Sequence, residues 1–173
     1  MNNNKNILEK KVVWKWIDNH RDNIIGFLQS LVKIPSITGE EQRIQEAIAD
    51  KFHSLNLDVD TWVPDINQLK KHNSFVPINY TDYGDRKNVV GVFRGVNKKN
   101  GIILNGHADV VPPGDEEIWK YPPWSGYIKD NRMYGRGTCD MKGGMASMIY
   151  ALEAIIKSEI NLKYNVILES VID

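Results

Sequence analysis

The sequence predicts an α/β fold in which a mixed β-sheet is flanked by helices. Two observations favour this class. Segments with helical spacing alternate with short strand-like runs, and a final strand-like run at Asn165–Ile172 follows a helical pattern that begins at Met145. A chain of 173 residues is long enough to bury the core of one such domain. We therefore expect one sheet with helices packed against it.

Two helices are predicted in the first third of the chain. Residues 1–10 are expected to be a polar tail, and the apolar stripe from Val13 to Leu31 has helical spacing and ends before a proline. Thr38 and Glu41 have the spacing of a capping box, in which two side chains satisfy the first N–H groups of a helix. The second helix is expected to follow over the apolar positions from Ile44 to Leu55.

Three strands are predicted before the last helix. Leu57–Val63 alternates apolar with polar residues, Asn88–Phe93 is apolar, and Ile102–Leu104 is expected to be a buried strand because it is short, β-branched and bounded by glycines. Between the first two strands, Pro64–Lys87 has no regular pattern. A surface excursion and a rim of a substrate site are equally compatible with this stretch, so no role is assigned to it.

Composition excludes several classes of function. The 22 basic and 22 acidic residues balance and form no long block, which argues against binding to nucleic acid or to an anionic membrane. The N-terminus has no apolar signal core, and no stretch approaches the roughly 20 apolar residues that span a bilayer. A single cysteine, Cys139, is compatible with a reducing compartment. We therefore expect a cytoplasmic protein.

Two glycine-bounded segments, GHADVVP from Gly106 and GRGTCDMKGG from Gly135, carry the candidate functional residues. His107 and Asp109 follow a predicted strand and, two residues apart in an extended chain, point to the same side. Asp140 lies in the loop that enters the last helix, where its carboxylate can reach a cation. An aspartate that accepts one imidazole N–H fixes the tautomer that binds zinc through the other nitrogen. We predict that His107 and Asp140 lie within about 7 Å, so that both can bind one zinc at roughly 2 Å.

Plainer interpretations exist for these residues. A lone histidine is more often a hydrogen-bonded polar residue than a ligand, and Asp109 also suits the cap of a turn before a proline. Cys139 is expected to pack as a small residue, because no partner base stands at a recognisable spacing. Glu169 is expected to be a buried acid in the last strand. A nucleotide loop is excluded because Asp140 replaces the third glycine of G-x-G-x-x-G, where an acid would repel a pyrophosphate.

Five segments together resemble the zinc metallopeptidase family M20, and in particular its acetylornithine deacetylase and succinyl-diaminopimelate desuccinylase group. They follow the family's order and cover nearly the whole chain after the tail: LVKIPSITGEE (31–41), KNVVG (87–91), GHADVVPPGD (106–115), the tryptophan-to-glycine segment ending in PPWSG (119–126) and YGRGTCDMKGG (134–144). The resemblance implies the N-terminal portion of a zinc-peptidase-like catalytic domain over residues 11–173.

The resemblance also implies an activity and a set of roles. It implies a hydrolase with two zinc ions that cleaves an amide bond of a small N-acyl amine, N-acyl amino acid or short peptide; cobalt or manganese can replace zinc at N/O sites of this kind. His107 would bind one metal ion, Asp140 would bridge both, and Asp109 would support His107 in the catalytic machinery.

The family's remaining functional residues are expected beyond Asp173. The general base is the first of a Glu-Glu pair that would begin there, and further metal ligands and a lid or dimerisation domain, through which the full-length form could be a homodimer, would come later. We therefore expect the 173-residue chain alone to bind zinc weakly and to be inactive. The alternative is a truncated, non-catalytic product that acts as an assembly partner or persists as a remnant.

Overall fold

The chain forms a mixed α/β structure, as the sequence predicts. The computed structural model describes residues 2–76 and 82–172. Met1, Asp173 and the segment 77–81, which includes Pro77 and Ile78 of the patternless stretch, lie outside the described residues. The elements in order are α1 (Asn2–Asn19), α2 (Arg21–Val32), α3 (Gln42–Ser54), β1 (Asp58–Trp62), α4 (Ile66–Leu69), β2 (Asn88–Phe93), β3 (Asn97–His107), β4 (Tyr127–Lys129), β5 (Arg132–Tyr134), α5 (Gly143–Lys157) and β6 (Tyr164–Val171).

Four strands form the main sheet, in the order β1-β2-β6-β3. The pairs β1/β2 and β2/β6 are antiparallel, whereas β3 and β6 are parallel, with His107 opposite Val171. A parallel pair needs a long crossover connection, and the segment that supplies it here contains α5. The carboxyl ends of β3 and β6 therefore meet at one edge of the sheet, which is where ligands bind in open α/β sheets.

The hydrophobic core lies between the sheet and α2, α3 and α5. These helices and the strands contribute to one cluster of buried apolar side chains, which includes Leu31, Ile44, Ile48, Phe52, Val89, Met145, Ile149, Leu152, Val166 and Leu168. A Cβ at Gly91 would lie 2.6 Å from the ring of Phe52, so a glycine in β2 is what lets α3 pack this closely. Lys51 of α3 also pairs with Glu153 of α5 at 2.7 Å, which joins the two helices across the core.

The N-terminal helices differ from the prediction in three ways. Residues 2–10, expected as a polar tail, form the first half of α1, and the single predicted helix is divided into α1 and α2 at His20, whose backbone is not helical. The predicted capping box is wrong. Glu41, not Thr38, precedes α3, and its carboxylate accepts from the Gly39 N–H and pairs with Arg86. Thr38 instead donates its hydroxyl to Asp109.

The third predicted strand is longer and more exposed than expected. It spans all of β3, and Ile102 and Ile103 are 55% and 58% exposed. The expectation of a buried strand is wrong because β3 is an edge strand and Ile103 points away from the helix-packed face. Glu169, expected to be buried, is half-buried on the same open side and accepts a hydrogen bond from Asn105 at 2.8 Å.

Three further elements, one helix and two strands, were not predicted. The short helix α4 lies in the Pro64–Lys87 stretch and is capped by the Asp65 carboxylate, which accepts from the N–H of Asn67. The strands β4 and β5 form a separate two-stranded hairpin. Within the ranges 2–76 and 82–172, no helix has the length and apolar character needed to cross a membrane.

Candidate metal centre

His107 lies at the carboxyl end of β3, where both of its ring nitrogens face carboxylate side chains. Its Nδ1 is 3.0 Å from the backbone oxygen of Asp109 and 3.2 Å from the Oδ1 of the same residue. Its Nε2 is 2.9 Å from Oδ1 of Asp140. The predicted proximity of His107 and Asp140 is therefore confirmed, and all three candidate residues meet at one place.

Asp109 is held in position by the loop that follows α2. Its Oδ2 accepts a hydrogen bond from the Thr38 hydroxyl at 2.8 Å. Two residues before Thr38, Ser36 donates its hydroxyl to the carbonyl of Ala108 at 2.9 Å, and its backbone carbonyl accepts the N–H of Val110 at 2.8 Å. Asp109 is buried, and its carboxylate faces His107 and Thr38 instead of capping the turn before Pro112.

Asp140 lies in a short turn, Thr138–Lys142, directly before α5, and its own backbone is extended there, with φ −125° and ψ 102°. Gly137 begins the turn with a φ of 80°, a left-handed conformation that favours glycine, and a Cβ there would lie 2.5 Å from Val110. The turn projects the Asp140 side chain, 85% exposed, toward His107. The neighbouring Cys139 is also exposed, so the expectation that it packs as a small residue is wrong.

Lys142 anchors the end of this turn inside the protein. Its buried Nζ donates to the carbonyl oxygens of Leu31 at 3.1 Å and Ile34 at 2.8 Å, at the end of α2. Burial lowers the pKa of Lys142 to about 8, because leaving water disfavours the charged ammonium. The turn that carries Asp140 is thereby tied to the loop that carries Ser36 and Thr38.

The surroundings of the His107 ring favour its protonated, positively charged form. Partial burial alone would lower its pKa, but the hydrogen bond to Asp140 and the charge of Asp109 outweigh burial, and the pKa of His107 is raised. Both ring nitrogens face oxygen acceptors, so the imidazolium satisfies both contacts. With the Nδ1 proton held by Asp109, a metal ion can take the place of the proton at Nε2.

The spacing of the two donors fits a shared metal ion. Tetrahedral ligands at about 2.0–2.1 Å from zinc lie about 3.3 Å apart, so Nε2 and Oδ1 need to separate by only a few tenths of an ångström from 2.9 Å. The exposed Asp140 side chain is free to make this adjustment. Asp109 is turned toward Nδ1, and no group of three or more His, Cys, Asp or Glu residues suited to a metal ion occurs in the part of the chain that the structure describes.

The sequence and the fold of this chain are similar to those of known proteins. The profile described as "Peptidase family M20/M25/M40" matches residues 103–172, which include His107, Asp109 and Asp140. Over 136 residues, the chain is 34% identical to the succinyl-diaminopimelate desuccinylase of Blochmanniella floridana, a match that covers 79% of this chain and 31% of that protein. Residues 103–172, which carry the candidate site, are therefore similar to the M20 peptidase family.

Solved structures share the fold of this chain. Human carnosine dipeptidase 1 matches with a TM-score of 0.75 and 24% identity, over 92% of this chain and 34% of that one. The M20 family metallo-carboxypeptidase Sso-CP2 from Sulfolobus solfataricus matches with a TM-score of 0.65 and 22% identity, over 85% of this chain and 30% of that one. This chain therefore spans about one third of the length of the relatives it matches.

Three residues that position the site were not identified from the sequence. Ser36 and Thr38 lie about 70 positions before Asp109, and no local pattern connects the two segments. Lys142 lies two residues after Asp140, directly before α5. Its one sequence signal is a lysine placed between a carboxylate and a buried helix, which favours a buried ammonium only when the acceptors are already known.

Proposed function

We propose that the whole protein is a metal-dependent hydrolase with two zinc ions, replaceable by cobalt or manganese, that cleaves an amide bond in a small N-acyl amine, N-acyl amino acid or short peptide. The match of residues 103–172 to the M20 family supports a hydrolase. The names of its relatives, a desuccinylase and a dipeptidase, support amide bonds in small molecules. Because the chain spans about a third of those relatives, the activity is proposed for the longer protein.

One observation carries the proposal: Nε2 of His107 and Oδ1 of Asp140 are 2.9 Å apart while Nδ1 of His107 is held by Asp109. A structural histidine has no need of two carboxylates on opposite ring nitrogens. An imidazole oriented by one carboxylate and facing a second, exposed one is the arrangement that metal sites use.

The residues divide the work as follows. His107 would offer Nε2 to one ion, and Asp140 would bridge both ions because its exposed carboxylate has two oxygens. Asp109 would keep the proton on Nδ1, which leaves the lone pair of Nε2 free and makes it a stronger donor. When bound, such a pair of ions promotes loss of a proton from water near neutral pH and polarises the scissile carbonyl.

Further donors must come from outside this set. Zinc in catalytic sites has about three protein ligands, and the residues that the structure describes bring two donor groups, His107 and Asp140, to one point. The same holds for the general base, for which none of the three site residues is free. We therefore infer that the 173-residue chain alone binds zinc weakly and turns over no substrate.

The test is the metal content and activity of the longer protein. Substituting His107→Ala or Asp140→Ala should remove most bound zinc, measured by elemental analysis after dialysis, and should abolish hydrolysis of N-acetyl and N-succinyl amino acids. The matched control is His53→Ala, because His53 is an exposed histidine on α3; it should keep metal and activity. Hydrolysis that survives exhaustive chelation, or full zinc occupancy in both site variants, would contradict the proposal.

A further inference from the structure

We propose that Arg136, in a pocket beside the turn that carries Asp140, recognises a free carboxylate of the substrate. The inference rests on the proposed function, because it narrows the substrates to N-acyl compounds or peptides that carry such a group. It assigns the choice between acidic and neutral substrates to a residue of this chain that is not part of the metal centre.

The pocket has the size and charge for a small anion-bearing molecule. Its volume is about 600 Å³, within the range of about 300–1,000 Å³ typical of small-molecule sites. Its walls include the aromatic rings of Trp119, Tyr121 and Tyr134. The charged residues that line it are Lys120 and Arg136, and no acidic residue is among its lining residues. The lining therefore favours a negatively charged group.

Arg136 is a half-buried cation without a counter-ion in the part of the chain that the structure describes. Its Nε is enclosed and has no hydrogen-bond partner there, and its guanidinium carbon lies 5.2 Å from the centre of the Trp119 ring. An unsatisfied buried donor costs about 1–3 kcal/mol, more when charged. An arginine held against an aromatic ring can present its remaining N–H groups as a fork that matches a carboxylate.

Arg86 shows how the same chain treats a structural arginine. Arg86 is also buried, and its Nη1 lies 3.2 Å from Oε1 of the fully buried Glu41. That pair joins the 82–86 segment to the start of α3. Arg136 has no such acid among the residues described, although its Nε is enclosed. The contrast indicates that the acid which completes Arg136 arrives with a ligand.

The pocket wall is held rigid by contacts that do not involve the guanidinium. The indole N–H of Trp119 donates to the carbonyl of Pro113 at 3.0 Å, and the backbone N–H of Arg136 donates to that of Pro123 at 2.7 Å. Tyr121 stacks on Tyr127 with ring centres 4.1 Å apart. A wall fixed before the ligand arrives loses little entropy on binding, which raises affinity.

The pocket adjoins the metal centre through the chain itself. Thr138 lines the pocket and also begins the turn that contains Asp140. Arg136 precedes Asp140 by four residues, so their Cα atoms are at most about 14 Å apart. A small N-acyl compound or short peptide can span this distance, with its carboxylate at Arg136 and its amide at the metal centre.

The experiment uses the longer protein and the variants Arg136→Gln and Arg136→Lys. The matched control is Arg132→Gln, because Arg132 is an exposed arginine on β5 that does not line the pocket. Binding of succinate and glutarate is measured by calorimetry on chelated protein, so that no metal ion can bind the carboxylates. Hydrolysis is compared between acid substrates and the same compounds with one carboxylate at a time converted to a carboxamide.

The proposal expects a selective loss. Arg136→Gln should weaken dicarboxylate binding and raise KM for acid substrates by about 10- to 100-fold, the effect of a hydrogen bond to a charged group. It should have little effect on kcat. It should also have little effect on the amide series in which the carboxylate that Arg136 would bind has been converted to a carboxamide. Arg136→Lys should retain part of the preference, because it keeps the charge without the fork, and Arg132→Gln should match the wild type.

Other outcomes overturn the proposal. Equal losses for acid and amide substrates, or unchanged dicarboxylate binding in Arg136→Gln, would mean that an acid elsewhere in the longer protein pairs with Arg136. If Arg136→Gln fails to fold, Arg136→Lys decides the question. A partly retained preference for acid over amide substrates in Arg136→Lys supports the proposal, and a preference equal to that of the wild type contradicts it. Should the wild type hydrolyse no N-acyl substrate, the proposed function fails, while the calorimetric comparison still tests Arg136.

Discussion

The two faces of the sheet differ sharply in how they are covered. On one face, α2, α3 and α5 bury a continuous apolar cluster in which Phe52 and Ile149 are fully enclosed. On the other face, Ile103 of β3 is 58% exposed, and Ile167 and Glu169 of β6 are only partly covered. Of the two faces, the first is the one on which the described apolar side chains are buried in a continuous core.

The candidate metal centre takes one residue from each kind of region. His107 ends β3, the edge strand with exposed isoleucines, whereas Asp140 precedes α5, whose inner side is fully packed. The Asp140 turn is tied to α2 by Lys142, and His107 is oriented by Asp109 and the Ser36–Thr38 loop. The contacts that hold the site in place therefore come from the packed face and its loops. The exposed strand β3 brings His107 to the site but adds few of these contacts.

The largest contrast between the two faces should appear in stability. In the 173-residue chain, Phe52→Ala should lower the free energy of unfolding by about 3–5 kcal/mol, because it leaves a cavity between α3 and β2. Ile103→Ala should cost less than about 1 kcal/mol, because its side chain is already largely in water. Urea unfolding followed by circular dichroism measures both. Equal costs would mean that the two faces are equally packed.

A smaller effect is expected where the packed face supports the site. Lys142→Met should lower the free energy of unfolding by about 2 kcal/mol, because the carbonyl oxygens of Leu31 and Ile34 lose their donor, while relief of the buried charge offsets part of the cost. The control Lys33→Met removes an exposed lysine next to α2 and should change stability by less than about 0.5 kcal/mol. Thermal and urea unfolding of the two variants test the difference; a Lys142 variant as stable as its control would exclude the anchoring role.

Local patterns were sufficient to predict the elements that pack together. The spacing in α5, the apolar runs of β2 and β6 and the alternation in β1 each predicted an element that the structure contains. The errors lie where long-range contacts decide the outcome. Ile102 and Ile103 have the composition of a buried strand, yet their exposure depends on which elements lie beside β3, and that information is not local.

The sequence predicted that the three candidate residues lie together, and it missed the residues that position them. His107, Asp109 and Asp140 lie in glycine-bounded segments whose chemistry is readable from a few neighbours, and their proximity followed from the strand end and the helix start. Thr38 was assigned to a helix cap because its spacing from Glu41 fits one. The hydroxyl instead donates to Asp109, a contact made only once two distant loops pack together.

The finest distinction concerns Asp109, which touches both the imidazole and the Thr38 loop. Asp109→Asn in the longer protein should weaken zinc binding by about 10- to 100-fold, because a neutral amide holds the Nδ1 proton less strongly and makes Nε2 a poorer donor. Competition with a chelator of known zinc affinity measures the change.

Thr38→Val separates orientation from charge at Asp109. It removes the hydroxyl that holds Oδ2 but keeps the carboxylate beside Nδ1, so zinc binding should weaken by less than about tenfold, the effect of one hydrogen bond. If Thr38→Val weakens binding as much as Asp109→Asn, the loop's positioning of the carboxylate matters more than its charge. If neither changes zinc affinity, Asp109 serves the fold alone, and the packed loops do not act on the metal centre through His107.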